Sequence, residues 1–354
     1  MSSPKISVIV PIKDVAPYLP ACLDSLRSQS LSEAEFILVE DKGTDQSLEI
    51  CENYCQQDAR FRLVKHEVNK GLLAARLSGV DVAEGEFTLF LDGDDSLCDK
   101  EALTDLYAQA KDAAAKGYEA VRFGVVAMRD GKVEPCTTAL MQKLGHPTQD
   151  PIDNLRQLYV DHERHWGVVM NIFTTVLLKR VALHMKREWL VMGEDAYFSF
   201  LIAYFARGYQ PLQTRPLYNY RLASGVSTSA VTPGVMRHYL LATQVPTWLQ
   251  SFLEEVDAKQ VYFEMLVTLR AALCQHFADA MARIPCTAQE RTHYFAEGAK
   301  HYGYEPLFLA LQSSLRYPPL EVTNKELYAL PAGRLFRAFI KSLLGLRKRG
   351  DSYH

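Results

Sequence analysis

Short apolar segments alternate with amphipathic segments over the first 130 residues of the chain. The apolar segments are rich in β-branched and aromatic residues and predict buried strands at residues 6–10, 36–39, 61–65, 87–91 and 120–128. Between them, apolar residues recur at helical spacing and predict intervening helices. This alternation predicts an α/β fold with a mainly parallel sheet that helices cover on both faces.

The pattern becomes helical from about residue 233. Long helical patterns cover residues 235–254, 259–283, 288–302 and 305–316. We therefore expect three regions, namely an α/β domain (1–230), a helical appendage (231–332) and a basic tail (333–354). Residues 333–349 contain six basic residues and no acidic residue, with the apolar residues on one helical face. Such a helix either lies on an anionic membrane surface or packs on the protein with its charges in solvent.

The charge balance and the cysteine content of the chain argue against some classes of partner and favour a reducing compartment. The 354 residues contain 39 Lys and Arg against 42 Asp and Glu, which argues against nucleic acid as a partner. The apolar segments are shorter than a membrane span requires, and the first residues lack the apolar region of a secretory signal. Seven cysteines without a CxxC pair suit neither a zinc site nor a disulfide framework. These features predict a cytoplasmic protein, with the tail as its contact with a membrane face.

Acidic residues follow three of the predicted strands. The strand ends carry residues 11–14 (PIKD), Glu40 with Asp41, and residues 92–95 (DGDD). Ligands of parallel sheets bind beyond the carboxyl ends of the strands. The carboxylates of Asp92, Asp94 and Asp95 repel one another unless a cation compensates them, and Gly93 allows the backbone to approach a ligand closely. The loop is therefore either a site for a divalent cation and a diphosphate or a solvated acidic turn.

Several segments resemble, in order along the chain, the family 2 glycosyltransferases with the GT-A fold. The resemblance covers about residues 1–230. It implies an inverting enzyme that transfers a sugar from a nucleotide-sugar, with UDP as the expected nucleotide, to a hydroxyl of a glycan acceptor in surface polysaccharide or lipopolysaccharide synthesis. The matching segments are Ser7–Pro11, Ile37–Asp41, Gly43–Asp45, Asn69–Gly71, Ala75–Arg76, Phe90–Asp95, Gly193–Asp195, Tyr218–Arg221 and Ser227–Ser229.

The resemblance also implies roles for individual residues. Asp94 matches the ligand of a divalent cation, Mn²⁺ or Mg²⁺, and Asp195 matches the general base. The expected contacts with the nucleotide-sugar are made by Pro11, Lys13, Asp41, Arg76, Asp92 and Gly93. Two assignments have a plain structural alternative, since Asp195 could be a helix N-cap and Arg76 a surface residue of a helix.

The chain departs from the family pattern at the first two strand ends. Lys13 and Asp14 stand where the family usually has Tyr-Asn, and Glu40 stands at a common Asp. Lys13 could approach a phosphate as a point charge instead. Many acceptors in the family are lipid-linked glycans, which favours membrane contact through residues 333–349.

Two other functions are compatible with such a fold. The first is a glycan-binding protein without catalysis, against which the intact Asp92, Asp94 and Asp195 argue. The second is a sugar nucleotidyltransferase, which would be expected to have a glycine-rich basic loop after the first strand. Residues 162–165 (HERH) lack one residue of the HExxH metal motif, so we interpret them as a charged helix end, with Trp166 as a wall of the acceptor pocket.

Overall fold

A computed structural model describes residues 3–135, 138, 143–163, 165–212, 215–222 and 231–314. These residues form two compact units. The first unit contains the described residues up to 222 together with Phe252–Met265, and the second contains residues 231–251 and 266–314. The Ser227–Ser229 segment and the basic tail, residues 333–354, lie outside the described residues.

The first unit contains a large sheet and a small sheet. Its strands are β1 (Ile6–Ile12), β2 (Ala34–Glu40), β3 (Phe61–Lys65), β4 (Phe87–Phe90), β5 (Ser96–Leu97), β6 (Ala120–Arg122), β7 (Val125–Arg129), β8 (Lys132–Val133), β9 (Asn171–Thr174), β10 (Tyr209–Pro211) and β11 (Tyr218–Arg221). The large sheet has the order β10-β6-β9-β4-β1-β2-β3, and the small sheet has the order β5-β11-β7-β8. The strands β4, β1, β2 and β3 run parallel, whereas β9 is antiparallel to both of its neighbours.

Helices follow most of the strands of the first unit. They are Leu19–Arg27, Ser47–Gln57, Leu72–Val82, Ala102–Ala115, Pro151–Tyr159, Thr175–Ala182 and Glu194–Phe205. All seven residues of β1 are buried, as expected for a central parallel strand with both faces covered. Helix Leu72–Val82 packs against β1 and β2, which brings its N-terminal turn to the carboxyl ends of these strands.

The C-terminal part of the described chain is helical. Its helices are Pro233–Ala242, Val245–Glu255, Gln260–Arg283, Ala288–Tyr302 and Tyr304–Ser314. Helix Ala288–Tyr302 begins with a capping box, in which Thr287 and Glu290 satisfy each other's backbone N–H groups. None of the helices in the described ranges combines the length and the hydropathy that crossing a bilayer requires.

The predicted fold class is confirmed, since helices flank a mainly parallel sheet and a helical region follows it. Two predicted elements were wrong in detail. The strand expected at 120–128 is interrupted at Phe123, whose N–H donates to the Met170 carbonyl, so β6 and β7 belong to different sheets. The helix expected at 235–254 consists of two helices that meet near Thr243.

Candidate active site

The acidic loop, residues 91–95, follows β4 and is held at both ends by other parts of the chain. Asp95 is buried and accepts hydrogen bonds from the Tyr218 hydroxyl at 2.6 Å and the Arg221 backbone N–H at 2.7 Å. Arg221 Nε also donates to the Asp94 carbonyl at 3.0 Å. Burial, reinforced by the nearby charges of Asp94 and Asp92, raises the pKa of Asp95 well above its usual value. Asp95 therefore anchors the loop to β11.

Arg76 joins the other end of this loop to helix Glu194–Phe205. Its Nη2 donates to Asp92 Oδ1 at 3.0 Å, and its Nη1 donates to Asp195 Oδ1 at 2.7 Å and to Glu194 Oε1 at 3.1 Å. The Arg76 side chain is only 2% exposed, so it is no surface residue of its helix. We call these four residues the Arg76 cluster. The structure thus brings together three residues that the sequence places far apart, namely Arg76, Asp92 and Asp195.

Burial and charge act against each other within the Arg76 cluster. Burial alone would lower the pKa of Arg76, but the charges of Asp195, Asp92 and Glu194 outweigh it and raise that pKa. Burial and the charge of Asp195 raise the pKa of Glu194 to about 8, although Arg76 opposes them. Burial also raises the pKa of Asp195, again against the effect of Arg76. Arg76 is therefore the charge that favours ionised carboxylates here, against the effect of burial.

Helix Glu194–Phe205 begins with two carboxylates, those of Glu194 and Asp195. Gly193 occupies the N-cap position, and Glu194 and Asp195 lie in the first turn. The alternative in which Asp195 is the N-cap is therefore wrong, because the helix begins two residues earlier than that role requires. The positive end of the helix dipole favours the ionised form of a carboxylate at this position.

The connection before this helix is held against the segment that leads to Arg76. Leu73 N donates to the Leu190 carbonyl at 3.1 Å, and Trp189 Nε1 donates to Asn69 Oδ1 at 3.0 Å. Gly71 has φ of +86°, and a Cβ on it would lie 2.9 Å from Leu190 N. Only glycine combines this backbone conformation with so close an approach. These contacts position the carboxylates of residues 194 and 195 relative to Arg76.

Asp41 also holds the segment that leads to Arg76, through the backbone of Lys70 and Gly71. Its buried carboxylate accepts hydrogen bonds from Lys70 N at 2.7 Å and Gly71 N at 2.8 Å, and lies 2.7 Å from His66 Nδ1. His66 Nε2 lies 2.9 Å from the Ser78 hydroxyl. Asp41 therefore orders the loop before Arg76, a role that the sequence did not indicate. Nothing in the sequence pattern identifies His66, because its partners lie on other elements.

The remaining predicted donor-site residues lie at the ends of β1 and β4. Pro11 is buried within β1, and its carbonyl faces Gly93, which is also buried. Lys13 is partly exposed and forms an ion pair with Asp14, whose carboxylate also accepts a hydrogen bond from Thr44 N at 2.6 Å. Pro11 and Gly93 thus adjoin the acidic loop, while Lys13 pairs with its neighbour in the sequence.

A divalent cation needs oxygen ligands that converge on one point. The carboxylates of the acidic loop diverge, since Asp92 faces Arg76 and Asp95 faces Tyr218, while Asp94 is half-buried. Within the described residues, no group of three or more His, Cys, Asp or Glu side chains could hold a metal ion. Mg²⁺ commonly binds one or two carboxylates together with substrate phosphates. The residues present fit a cation that needs diphosphate oxygens to complete its coordination.

The described residues of the 162–165 segment differ from their predicted form. Helix Pro151–Tyr159 ends before His162, so His162 and Glu163 follow the helix instead of ending it. The Trp166 ring packs on the Tyr159 ring with centroids 5.8 Å apart, and its carbonyl accepts a hydrogen bond from the Ser199 hydroxyl at 2.5 Å. Trp166 therefore packs against helices Pro151–Tyr159 and Glu194–Phe205. Its role as a wall of the acceptor pocket stays a prediction.

The chain is similar in sequence to proteins of Bacillus subtilis that are named as glycosyltransferases. The putative glycosyltransferase EpsH of Bacillus subtilis is 29% identical over 226 residues, which cover 63% of this chain and 62% of EpsH. The uncharacterized glycosyltransferase EpsJ of the same organism is 47% identical over 92 residues, 26% of each chain. The chain thus spans less than two thirds of the length of these relatives.

Solved structures share the fold. The S. aureus TarS 1–349 structure in complex with UDP-GlcNAc has a TM-score of 0.55 and 22% identity, over 90% of this chain and 95% of that one. The mannosyltransferase PcManGT from Pyrobaculum calidifontis, in complex with GDP-Man and Mn²⁺, has a TM-score of 0.50 and 16% identity, over 97% of this chain and 86% of that one. The sequence model of Glycosyl transferase family 2 matches residues 7–184, half of the chain. The chain belongs to glycosyl transferase family 2.

Proposed function

We propose that the chain is an inverting glycosyltransferase that moves a sugar from a UDP-linked donor to a hydroxyl of a glycan acceptor. The observation that carries this proposal is the Arg76 cluster, in which one buried guanidinium joins Asp92 of the acidic loop to Asp195 of helix Glu194–Phe205. Arg76 thereby contacts both the loop that we propose to bind the donor and a carboxylate able to accept a proton. The TarS complexes with UDP and UDP-GlcNAc support UDP as the nucleotide.

Asp195 is proposed as the general base. It would accept the proton of the acceptor hydroxyl as the oxygen of that hydroxyl attacks the anomeric carbon from the face opposite the leaving diphosphate. The bond from the anomeric carbon to the diphosphate oxygen breaks, and the electron pair leaves with the diphosphate. Asp195 suits this role because its side chain is 29% exposed and can reach a ligand, while the 2.7 Å contact with Arg76 holds its orientation.

The donor is proposed to lie along the acidic loop. Asp94 would hold a divalent cation, Mn²⁺ or Mg²⁺, which supplies charge stabilisation for the leaving diphosphate when it is bound. Pro11 adjoins Gly93, which follows Asp92 in this loop, and we propose that these three residues contact the donor together with the cation of Lys13 beyond the end of β1. We also propose that Asp41 acts on the nucleotide through the Lys70–Gly71 backbone that it orders.

The acceptor and the location are proposed from the resemblance and the sequence of the tail. A lipid-linked glycan of surface polysaccharide or lipopolysaccharide synthesis is the acceptor class, and residues 333–349 would hold the enzyme on the cytoplasmic membrane face. The domain limits 1–230, 231–332 and 333–354 belong to the same proposal. Equal binding of anionic liposomes by the full chain and by a chain ending at Pro331 would contradict the membrane contact.

Substituting Asp195→Asn tests the proposed base. Asparagine keeps the size of the side chain but cannot accept the proton, so we expect sugar transfer to fall by about 10²–10⁴-fold. Donor affinity, measured by calorimetry with UDP-sugars and Mn²⁺, should stay within about threefold of the wild type. The matched control is Glu188→Gln, which removes an exposed carboxylate from the connection before the same helix. Full activity of the Asp195→Asn enzyme would refute the assignment.

A further inference from the structure

The Arg76 cluster contains three carboxylates around one guanidinium. Asp92, Glu194 and Asp195 all lie within 3.1 Å of Arg76 nitrogen atoms. If all three were ionised, the cluster would carry two uncompensated negative charges beside the proposed diphosphate site. Such an arrangement is costly in a partly buried site, and buried carboxyl groups commonly take up a proton instead.

We propose that Glu194 is a positioning residue that carries this proton, so that Arg76 is shared by ionised Asp195 and ionised Asp92 alone. The catalytic consequence rests on the proposed function, whereas the position of the proton does not. The geometry distinguishes the three carboxylates by exposure. The side chain of Glu194 is 9% exposed, whereas those of Asp92 and Asp195 are 28% and 29% exposed.

Contact geometry separates the two carboxylates that share one nitrogen atom. Arg76 Nη1 lies 2.7 Å from Asp195 Oδ1 and 3.1 Å from Glu194 Oε1, while Nη2 lies 3.0 Å from Asp92 Oδ1. Of the two carboxylates at Nη1, Glu194 is both the more buried and the more distant. The groups that face Glu194 are Arg76, Asp92 and Asp195, and burial together with the charge of Asp195 raises the pKa of Glu194 to about 8 against the effect of Arg76. The deeper burial of Glu194 and its longer contact with Nη1 thus assign the proton of the cluster to this residue.

A neutral Glu194 matters for the proposed reaction in two ways. It accepts a hydrogen bond from Arg76 without drawing the guanidinium charge away from Asp195. It also adds no negative charge beside the donor diphosphate. When the pH rises through about 8, Glu194 becomes a carboxylate that competes with Asp195 for Nη1 and repels the donor. We expect the KM for the donor to rise roughly tenfold over this range.

Infrared spectroscopy of the full chain tests the position of the proton without any substrate. With ¹³C-labelled glutamate, the carbonyl band of a protonated glutamic acid should disappear with a midpoint near pH 8. The label separates Glu194 from buried Asp95. The band should be missing in Glu194→Gln and retained in the control Glu188→Gln. The proposal is overturned if the wild type shows no such band, or if Glu194→Gln keeps it.

Kinetics then test the consequence for catalysis. Glutamine resembles the neutral acid, so Glu194→Gln should lose much less kcat at neutral pH than Glu194→Ala, and it should lose the rise in KM at alkaline pH. Glu194→Ala removes the contact with Arg76 and should lower kcat at every pH. Equal losses in Glu194→Gln and Glu194→Ala at neutral pH would overturn the proposal. If the wild type neither binds nor uses a nucleotide-sugar, the proposed function fails, while the infrared titration still decides where the proton lies.

Discussion

Replacing Arg76 with leucine removes a positive charge that contacts Asp92, Glu194 and Asp195. Breaking a buried ion pair by removing one partner costs about 3–5 kcal/mol, because the other partner stays buried without compensation. In this cluster Asp92 and Asp195 are more than a quarter exposed and can regain water, so we expect the lower end of that range. The free energy of unfolding should therefore fall by about 3 kcal/mol at pH 7.

Urea denaturation followed by tryptophan fluorescence measures this loss. Trp166 and Trp189 both belong to the first unit, which contains the cluster. The matched control is Arg187→Leu, which breaks an exposed pair of hydrogen bonds to Asp81 at 2.7 and 2.8 Å. Exposed pairs contribute about 0–1 kcal/mol, so this control should change stability by less than about 1 kcal/mol.

The destabilisation caused by Arg76→Leu should depend on pH. Without Arg76, the carboxylates that remain ionised relieve their repulsion by taking up protons, so the destabilisation should shrink as the pH falls from about 8 to about 5. Arg76→Lys should give an intermediate loss, since an ammonium group lacks the fork that contacts both the loop and the helix. A loss below about 1 kcal/mol at pH 7, equal to that of the control, would refute the view that the cluster is stabilising.

Three further outcomes are expected. Gly71→Ala places a Cβ 2.9 Å from Leu190 N in a backbone with φ of +86°, so chemical denaturation should show a loss of about 1–3 kcal/mol; an unchanged midpoint would contradict this. Asp94→Asn should abolish the Mn²⁺-dependent rise in melting temperature that a UDP-sugar produces, whereas Asp112→Asn, an exposed control, should keep it. Because the pKa of Glu194 lies above its usual value in the folded chain, its contribution to stability should fall as the pH rises from about 4.5 to about 8, and Glu194→Gln should flatten that slope.

The strands and helices of the first 130 residues could be predicted because their periodicity is local. The third strand was expected at residues 61–65 and is observed as Phe61–Lys65. The antiparallel strand β9 was not expected, because its position between β4 and β6 depends on pairing with residues about 50 to 85 positions away. Periodicity carries no information about which strands become neighbours.

The candidate site was only partly predictable, because its contacts join parts of the chain that are distant in sequence. The sequence indicated that Asp92, Arg76 and Asp195 belong together only through the family resemblance, and it left a surface position open for Arg76. The structure buries Arg76 because residues from the acidic loop and from a later helix close around it. The hydrogen bonds of Asp41 to Lys70 and Gly71 depend on a backbone turn, which side-chain patterns do not show.

The partners in this site are widely separated along the chain, which affects how the protein is made. Arg76 lies 119 residues before Asp195, and Asp95 lies 123 residues before Tyr218. Chains are synthesised from the N-terminus at about 5–20 residues per second, so Arg76 and the acidic loop leave the ribosome seconds before their partners exist. The nascent chain must therefore keep a guanidinium and several carboxylates in water until residue 221 has emerged. A fragment that ends with the family match at residue 184 would lack Glu194, Asp195 and Tyr218, which complete these contacts.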